Sequence, residues 1–327
     1  MTSVSKELPP RLTHFTPLRY PGGKGKLAAF IKSLMTENEL LDGEYVEPYA
    51  GGAAIAMELL LQGYVSKVYI NDISRPIYAF WSSVLRQTED LCRLIVDTRC
   101  SVKTWDRQKR IFANHEEHDD LALGFATFFL NRTNRSGILN GGIIGGREQT
   151  GEWKIDARYN AKELCNRIQA IAKMKSRISL TRKDALSFLR AGSAKWPQNT
   201  LIYCDPPYYN KGRELYYDFY EPSDHQKVAE FVTEKIQHQH WVVSYDNVPE
   251  INALYADFHR ITYGIGYSAR SARIGSEAMF FSPELSIPKV IGPLASVRTR
   301  RVKKTKAVQK ASCAHHAVQS DRRAALR

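Results

Sequence analysis

The residues best suited to chemistry are Asp205-Pro206-Pro207-Tyr208, directly after the apolar run Leu201-Ile202-Tyr203-Cys204. A short apolar run of this kind predicts a fully buried parallel strand. Two prolines cannot continue a central strand, so the chain must leave the sheet at Asp205. In an open α/β sheet ligands bind beyond the strand C-termini, which predicts that Asp205 and Tyr208 face a crevice. A carboxylate, the fixed carbonyl of Pro206 and an aromatic ring together suit methyl transfer to an exocyclic amino group. An aromatic amine is a poor nucleophile because its lone pair is delocalised. Accepting its two N–H hydrogens at Asp205 and at the Pro206 carbonyl favours a pyramidal nitrogen, while Tyr208 stacks on the ring. Inside a duplex that amine is out of reach, so the base must be flipped out, which costs a few kcal/mol. Alone, the motif would read as a β-turn after a strand.

A second set makes the first more than a turn. Glu47-Pro48-Tyr49-Ala50-Gly51-Gly52 ends a strand in glycines that let backbone approach a ligand. Asp72 closes the next strand about 20 residues beyond Gly51, the spacing at which an acid receives ribose hydroxyls in nucleotide-binding βαβ units. No G-x-G-x-x-G is present, which disfavours a dinucleotide and suits an adenosine ligand without pyrophosphate, such as S-adenosylmethionine. The loop Gly22-Gly23-Lys24 could bind the carboxylate of its methionine part.

The elements that position these residues are also legible. Leu27, Phe30, Ile31, Leu34 and Met35 have helical spacing. Tyr45–Tyr49 reads as a strand, Ile55, Leu59 and Leu60 as a helix, and Lys67–Asp72 as a strand, which makes a βαβ unit. Late in the chain follow the strand at 201–204, a helix from Ser223 with Gln226 completing a capping box, and strands at Trp241–Val243 and Ala278–Phe281. The middle, 81–174, reads as helical and then glycine-rich from Gly137 to Gly151, with Arg132, Arg135, Arg147, Trp153 and Arg158 in or beside that stretch. Cations, amides and aromatics on such a loop suit nucleic-acid contact; a surface hairpin is the alternative.

The net charge of +13 points towards a polyanion. Residues 293–327 hold ten basic side chains against Asp321 alone, which predicts a disordered basic extension that either tethers DNA or is merely solvated. Deleting 293–327 is expected to weaken DNA affinity and its salt dependence while leaving sequence choice unchanged, as read by binding titrations across ionic strength; an altered methylation motif would refute this. Five scattered cysteines without a C-x-x-C pair indicate neither a disulfide framework nor a thiolate zinc site. With no apolar signal segment, a soluble cytoplasmic protein, nucleoid-associated through DNA, is expected.

The chain resembles the Dam-like, D12-class DNA adenine-N6 methyltransferases. The resemblance spans about residues 16–284 and rests on Leu18-Arg19-Tyr20-Pro21-Gly22-Gly23-Lys24, Glu47–Gly52, Asn71-Asp72, Phe129-Leu130-Asn131-Arg132, Gly151-Glu152-Trp153 and Asp205–Tyr208. It implies a Rossmann-like α/β methyltransferase core (16–80 and 175–287), an inserted helical and hairpin target-recognition domain (81–174) and the basic tail (288–327). It implies cofactor contacts at Tyr20, Lys24, Asp72 and Asp205, with Gly22, Glu47 and Gly51 in the same loops and Asp184 at the position that meets the cofactor's adenine, and catalysis at Asp205, Pro206, Pro207 and Tyr208. Target recognition does not transfer: Arg135 could read guanine and Asn134 adenine through bidentate pairs, with phosphate contact or a structural role as the alternative for each, and Arg132 and Arg147 are further DNA-contact candidates. For Asp184 an ordinary helix N-cap is the alternative. Ala53 departs from the glycine pattern of the first motif, and Thr133–Leu139 lacks the tyrosines of GATC-specific relatives. The implied reaction moves the methyl of S-adenosylmethionine to adenine N6 in double-stranded DNA, with no metal and no membrane, by a monomer with or without a cognate restriction nuclease. Cytosine-N4 methylation, RNA as substrate, and a non-catalytic DNA-binding protein on the same fold stay open.

Overall fold

The computed structural model describes residues 14–19, 24–209, 220–236, 238–267, 273–289 and 298–300. An eight-stranded sheet in the order β3-β2-β1-β4-β5-β7-β6-β8 organises them. Its members are β1 (Glu44–Glu47), β2 (Lys67–Asn71), β3 (Ile178–Thr181), β4 (Thr200–Cys204), β5 (His240–Asp246), β6 (His259–Tyr267), β7 (Arg273–Phe281) and β8 (Arg298–Arg300). The first five run parallel to one another, whereas β7 runs antiparallel between β5 and β6.

Side-chain alternation along the strands divides the core. Tyr45, Leu201, Tyr203 and Val242 join one buried cluster, while Val46, Ile202, Cys204, Trp241 and Val243 join the other. This is the period-2 pattern of a sheet covered on both faces. The first face carries α1 (Ala28–Glu37), α2 (Ala54–Leu61), α3 (Arg75–Arg86), α4 (Thr88–Asp97), α6 (Asp120–Thr133) and α7 (Ala161–Ala172), with α5 (Val102–Ala113) against α6. The second carries α8 (Ala185–Ser193), α9 (Pro222–Glu230) and α10 (Pro249–Leu254).

The helices within 81–174 have no core of their own. Trp81, Phe128, Phe129, Leu164 and Ile168 belong to the same cluster as Ile31, Leu34, Val68 and Ile70, and a boundary at 81 falls inside α3. The capping box of α9 uses Glu221 and Asp224 rather than Ser223 and Gln226. Pro222 sets the first helical φ, so the cap falls on the residue before it. Arg298–Arg300, inside the stretch read as disordered, pair with β6, whose open edge offers unpaired backbone groups. The rest of the basic extension from Arg301, and Tyr20 and Gly22, lie outside the described residues. Among the described residues no helix is long and apolar enough to cross a membrane.

Candidate active site

The chain moves outward from β1 to β2 and β3 in one direction and from β4 to β5 in the other, so the order reverses between β1 and β4. Their C-terminal ends deliver Glu47–Gly52 and Asp205–Tyr208 to the crevice that such a switch point opens. The crevice encloses about 1170 Å³ and is lined by Lys24, Glu47, Gly51, Asp72, Asp184 and Asp205 among others.

A buried ionic network sits at its floor. Lys24, in the 3-10 turn before α1, places Nζ 2.5 Å from Glu277 Oε2 and 3.2 Å from Asp205 Oδ1. Ser244, on β5, donates to the same Asp205 Oδ1 at 2.7 Å, and its Oγ pairs with the Tyr203 hydroxyl at 2.8 Å. Burial pushes the Asp205 carboxyl up from its ordinary value, Lys24 pulls it back and Glu277 raises it further. Burial works against the Lys24 ammonium, but the two carboxylates outweigh it and its pKa is raised. The Tyr208 hydroxyl donates to Glu277 Oε1 at 2.6 Å, and the ring, 3% exposed, lies 5.4 Å below Lys24 Nζ. Tyr208 was expected as an open stacking face; here a buried carboxylate captures its phenol. The aromatic wall that does line the crevice is Tyr49 and Tyr220, packed edge to face with hydroxyls 3.0 Å apart.

The cofactor half is held by buried polar clamps. Asn71 donates to the carbonyls of Pro48 and Lys183 and accepts from the Thr181 hydroxyl and the Lys183 amide, tying the ends of β1, β2 and β3 together. Asp72 accepts the amides of Gly51 at 2.8 Å and Ser74 at 3.0 Å, while the indole of Trp81 donates to the Gly51 carbonyl. Gly51 takes φ +46°, which glycine adopts at little cost. Glu47 is buried, and burial pushes its carboxyl up to about 8, opposed by the Tyr45 hydroxyl and the Ala56 amide on Oε1. It is therefore largely neutral at pH 7 until a cation comes beside it. Asp184 caps α8 through the Ser187 amide and also lines the crevice, so both readings of that residue have support.

Ala53, the departure from the glycine pattern, occupies the left-handed region at φ 43°, ψ 39° as N-cap of α2. That conformation costs an L-residue roughly 1–2 kcal/mol, and alanine is a poor N-cap. Ala53→Gly is expected to stabilise the protein by about 1 kcal/mol, read as a higher Tm; an unchanged or lower Tm would contradict the strain.

The glycine-rich loop is not a β-hairpin: its strand-like pairing is a single bridge, Asn134 to Ile143. Asn134, a candidate base reader, is fully buried; it accepts from the Trp105 indole at 2.6 Å and donates to the carbonyls of Ile138 and Leu139. Its amide is consumed in shaping the loop. Asn131 likewise accepts the Arg19 amide and donates to the Arg19 and Gly137 carbonyls, linking the segment before Lys24 to the end of α6. A side chain at Gly137, φ +75°, would collide with the Arg19 carbonyl, so this close approach requires glycine. Arg135 is exposed. Arg147 makes an exposed two-pronged pair with Asp106, which is cheaply exchanged. Arg132 donates to the Arg158 carbonyl, and burial followed by nearby Arg19 and Arg167 lowers its pKa. Trp153 is 58% exposed with Arg158 over its ring.

Sequence reasoning missed Glu277 and Ser244. The signal for Glu277 was its position two before Met279 and four before Phe281 on the inward face of an apolar strand, where a lone acid needs a cation.

No curated protein sequence matches the chain. Among solved structures it is similar to the rRNA methyltransferase aviRa from Streptomyces viridochromogenes, at 12% identity and a TM-score of 0.31, covering 80% of this chain and 85% of that one. It is also similar to protein LPL1258 from Legionella pneumophila, at 11% identity, the same TM-score and the same coverages. Likenesses that distant do not bear on function. The family model of the D12 class N6 adenine-specific DNA methyltransferases matches residues 20–265. With D-P-P-Y at the end of β4 and the glycine turn at the end of β1 meeting across one crevice, the chain belongs to the D12 class of N6 adenine-specific DNA methyltransferases.

Proposed function

We propose that this methyltransferase acts on an adenine flipped out of duplex DNA, with the target amine at Asp205 and S-adenosylmethionine beside Glu47, Gly51, Asp72 and Asp184. The observation that carries this reading is the division of labour on Asp205. Both of its contacts among the described residues, Lys24 and Ser244, fall on Oδ1, leaving Oδ2 to accept an N–H from the substrate. The lining also suits the cofactor: acidic side chains at Asp72, Asp184 and Asp205 complement a ligand with a sulfonium and an ammonium. When bound, S-adenosylmethionine supplies a methyl group on a positively charged sulfur that departs as a neutral thioether.

Asp205 Oδ2 and the Pro206 carbonyl align the amine, and its lone pair forms the new N–C bond. The nitrogen then sheds one proton, for which the Asp205 carboxylate is the nearest acceptor. Tyr49 and Tyr220 offer the base an aromatic wall. Arg135, the exchangeable Arg147 and the crowded cations Arg19, Arg132 and Arg158 supply a surface that backbone phosphates would relieve. The test is incubation of purified protein with labelled cofactor and duplex DNAs of varied sequence, then hydrolysis and identification of the modified base. N6-methyladenine is expected; N4-methylcytosine, or no label in any duplex, would overturn the reading.

A further inference from the structure

Glu277 lies in none of the motifs that identify the family, yet it is the most heavily engaged buried acid beside the reacting carboxylate. It is 0% exposed on β7 and receives Lys24 Nζ at 2.5 Å, the Tyr208 hydroxyl at 2.6 Å and the Tyr263 hydroxyl at 3.0 Å. These partners come from the turn before α1, from D-P-P-Y and from β6. A fully buried carboxylate is expensive unless paired and hydrogen-bonded, and this one binds two residues of the motif machinery at once.

We propose that Glu277 is a positioning residue: it holds the Lys24 ammonium between itself and Asp205 and fixes the Tyr208 ring, so that Asp205 meets the target amine correctly aimed. The inference rests on the reading that Asp205 receives that amine. The groups facing Asp205 are Lys24 before α1, Tyr45 and Glu47 on β1, Tyr203 and Cys204 on β4, Ser244 on β5, Tyr263 on β6 and Glu277 itself. Lys24 is the cation among them, and it touches both Asp205 and Glu277.

Two variants separate the charge of Glu277 from its reach. Glu277→Gln keeps the shape and removes the charge. Relieved of a neighbouring anion, Asp205 ionises more easily, so the acidic limb of the kcat profile moves to lower pH while kcat falls on the order of 100-fold through misplacement. Glu277→Asp keeps the charge and shortens the arm; its limb stays with the wild type while kcat still falls. A protein-only readout uses an amine-reactive acetylating ester at mildly alkaline pH, with peptide mass spectrometry at Lys24. Labelling is expected to be faster in Glu277→Gln, because one of the two carboxylates that keep the amine protonated is gone. An unmoved limb and unchanged labelling in Glu277→Gln, or wild-type kcat in Glu277→Asp, would overturn the proposal. If Glu277→Gln does not fold, the Asp variant decides alone. A wild-type enzyme that transfers no methyl would instead sink the methylation reading, and Lys24 labelling would still judge Glu277.

Discussion

Asp205→Ala is expected to yield a folded protein that transfers no detectable methyl group. The lost carboxylate is the acceptor that turns a delocalised amine into a nucleophile, and removing one such preorganised hydrogen-bonding group costs about 10²–10³ in rate. Here it also removes the nearest proton acceptor, so the loss should reach ~10³-fold or more. The fold survives because Lys24 keeps Glu277 and Ser244 keeps Tyr203. Single-turnover transfer with labelled cofactor, beside a thermal melt, checks both halves. Transfer within tenfold of wild type would remove Asp205 from the chemistry; a collapsed melt would show that its role is to hold the sheet.

Lys24→Met is the larger blow to stability. It leaves Asp205 and Glu277 as neighbouring buried anions whose shared cation stood 3.2 and 2.5 Å away. Breaking a buried pair by removing one partner costs about 3–5 kcal/mol, and here one deletion strands two carboxylates. The pH dependence has a definite sign. Without Lys24 both carboxyl pKa values rise above their unfolded values, so the folded state tolerates them only when protonated. The deficit is therefore greatest at neutral and alkaline pH and shrinks as pH falls towards the unfolded carboxylate range near 4. Urea unfolding at pH 5 and pH 8 measures it. Equal deficits at the two values would mean that Lys24 contributes packing rather than charge.

What was legible in the sequence is what local pattern can encode. Short apolar runs of two to four residues marked β1, β2, β4 and β5, and the glycines and prolines after β1 and β4 marked where the chain turns into the crevice. β6 went unread because His259–Tyr267 mixes His, Arg, Thr and glycines; it is a strand because β7 pairs with it along its whole length. Of the readings open for Asn134 the structural one holds, for a related reason. Its type suits adenine, but its partner Trp105 lies 29 residues away on α5, a contact no spacing rule reports. Glu277 shows the same limit: the strand around it was visible, whereas the cation that makes an acid tolerable there sits 253 residues earlier.

That separation bears on how the enzyme comes into being. The crevice lies between β1 and β4, neighbours in space whose registered residues, Glu44 and Thr200, are far apart in the chain. At synthesis rates of ~5–20 residues per second, on the order of 10 s pass between the emergence of β1 and that of its partner. Until then the nascent chain presents a half-sheet with an exposed apolar edge, and Lys24 stays a solvated surface cation until β7 brings Glu277. Activity thus arrives late in biogenesis and all at once, and the early half of the chain depends most on protection while it waits.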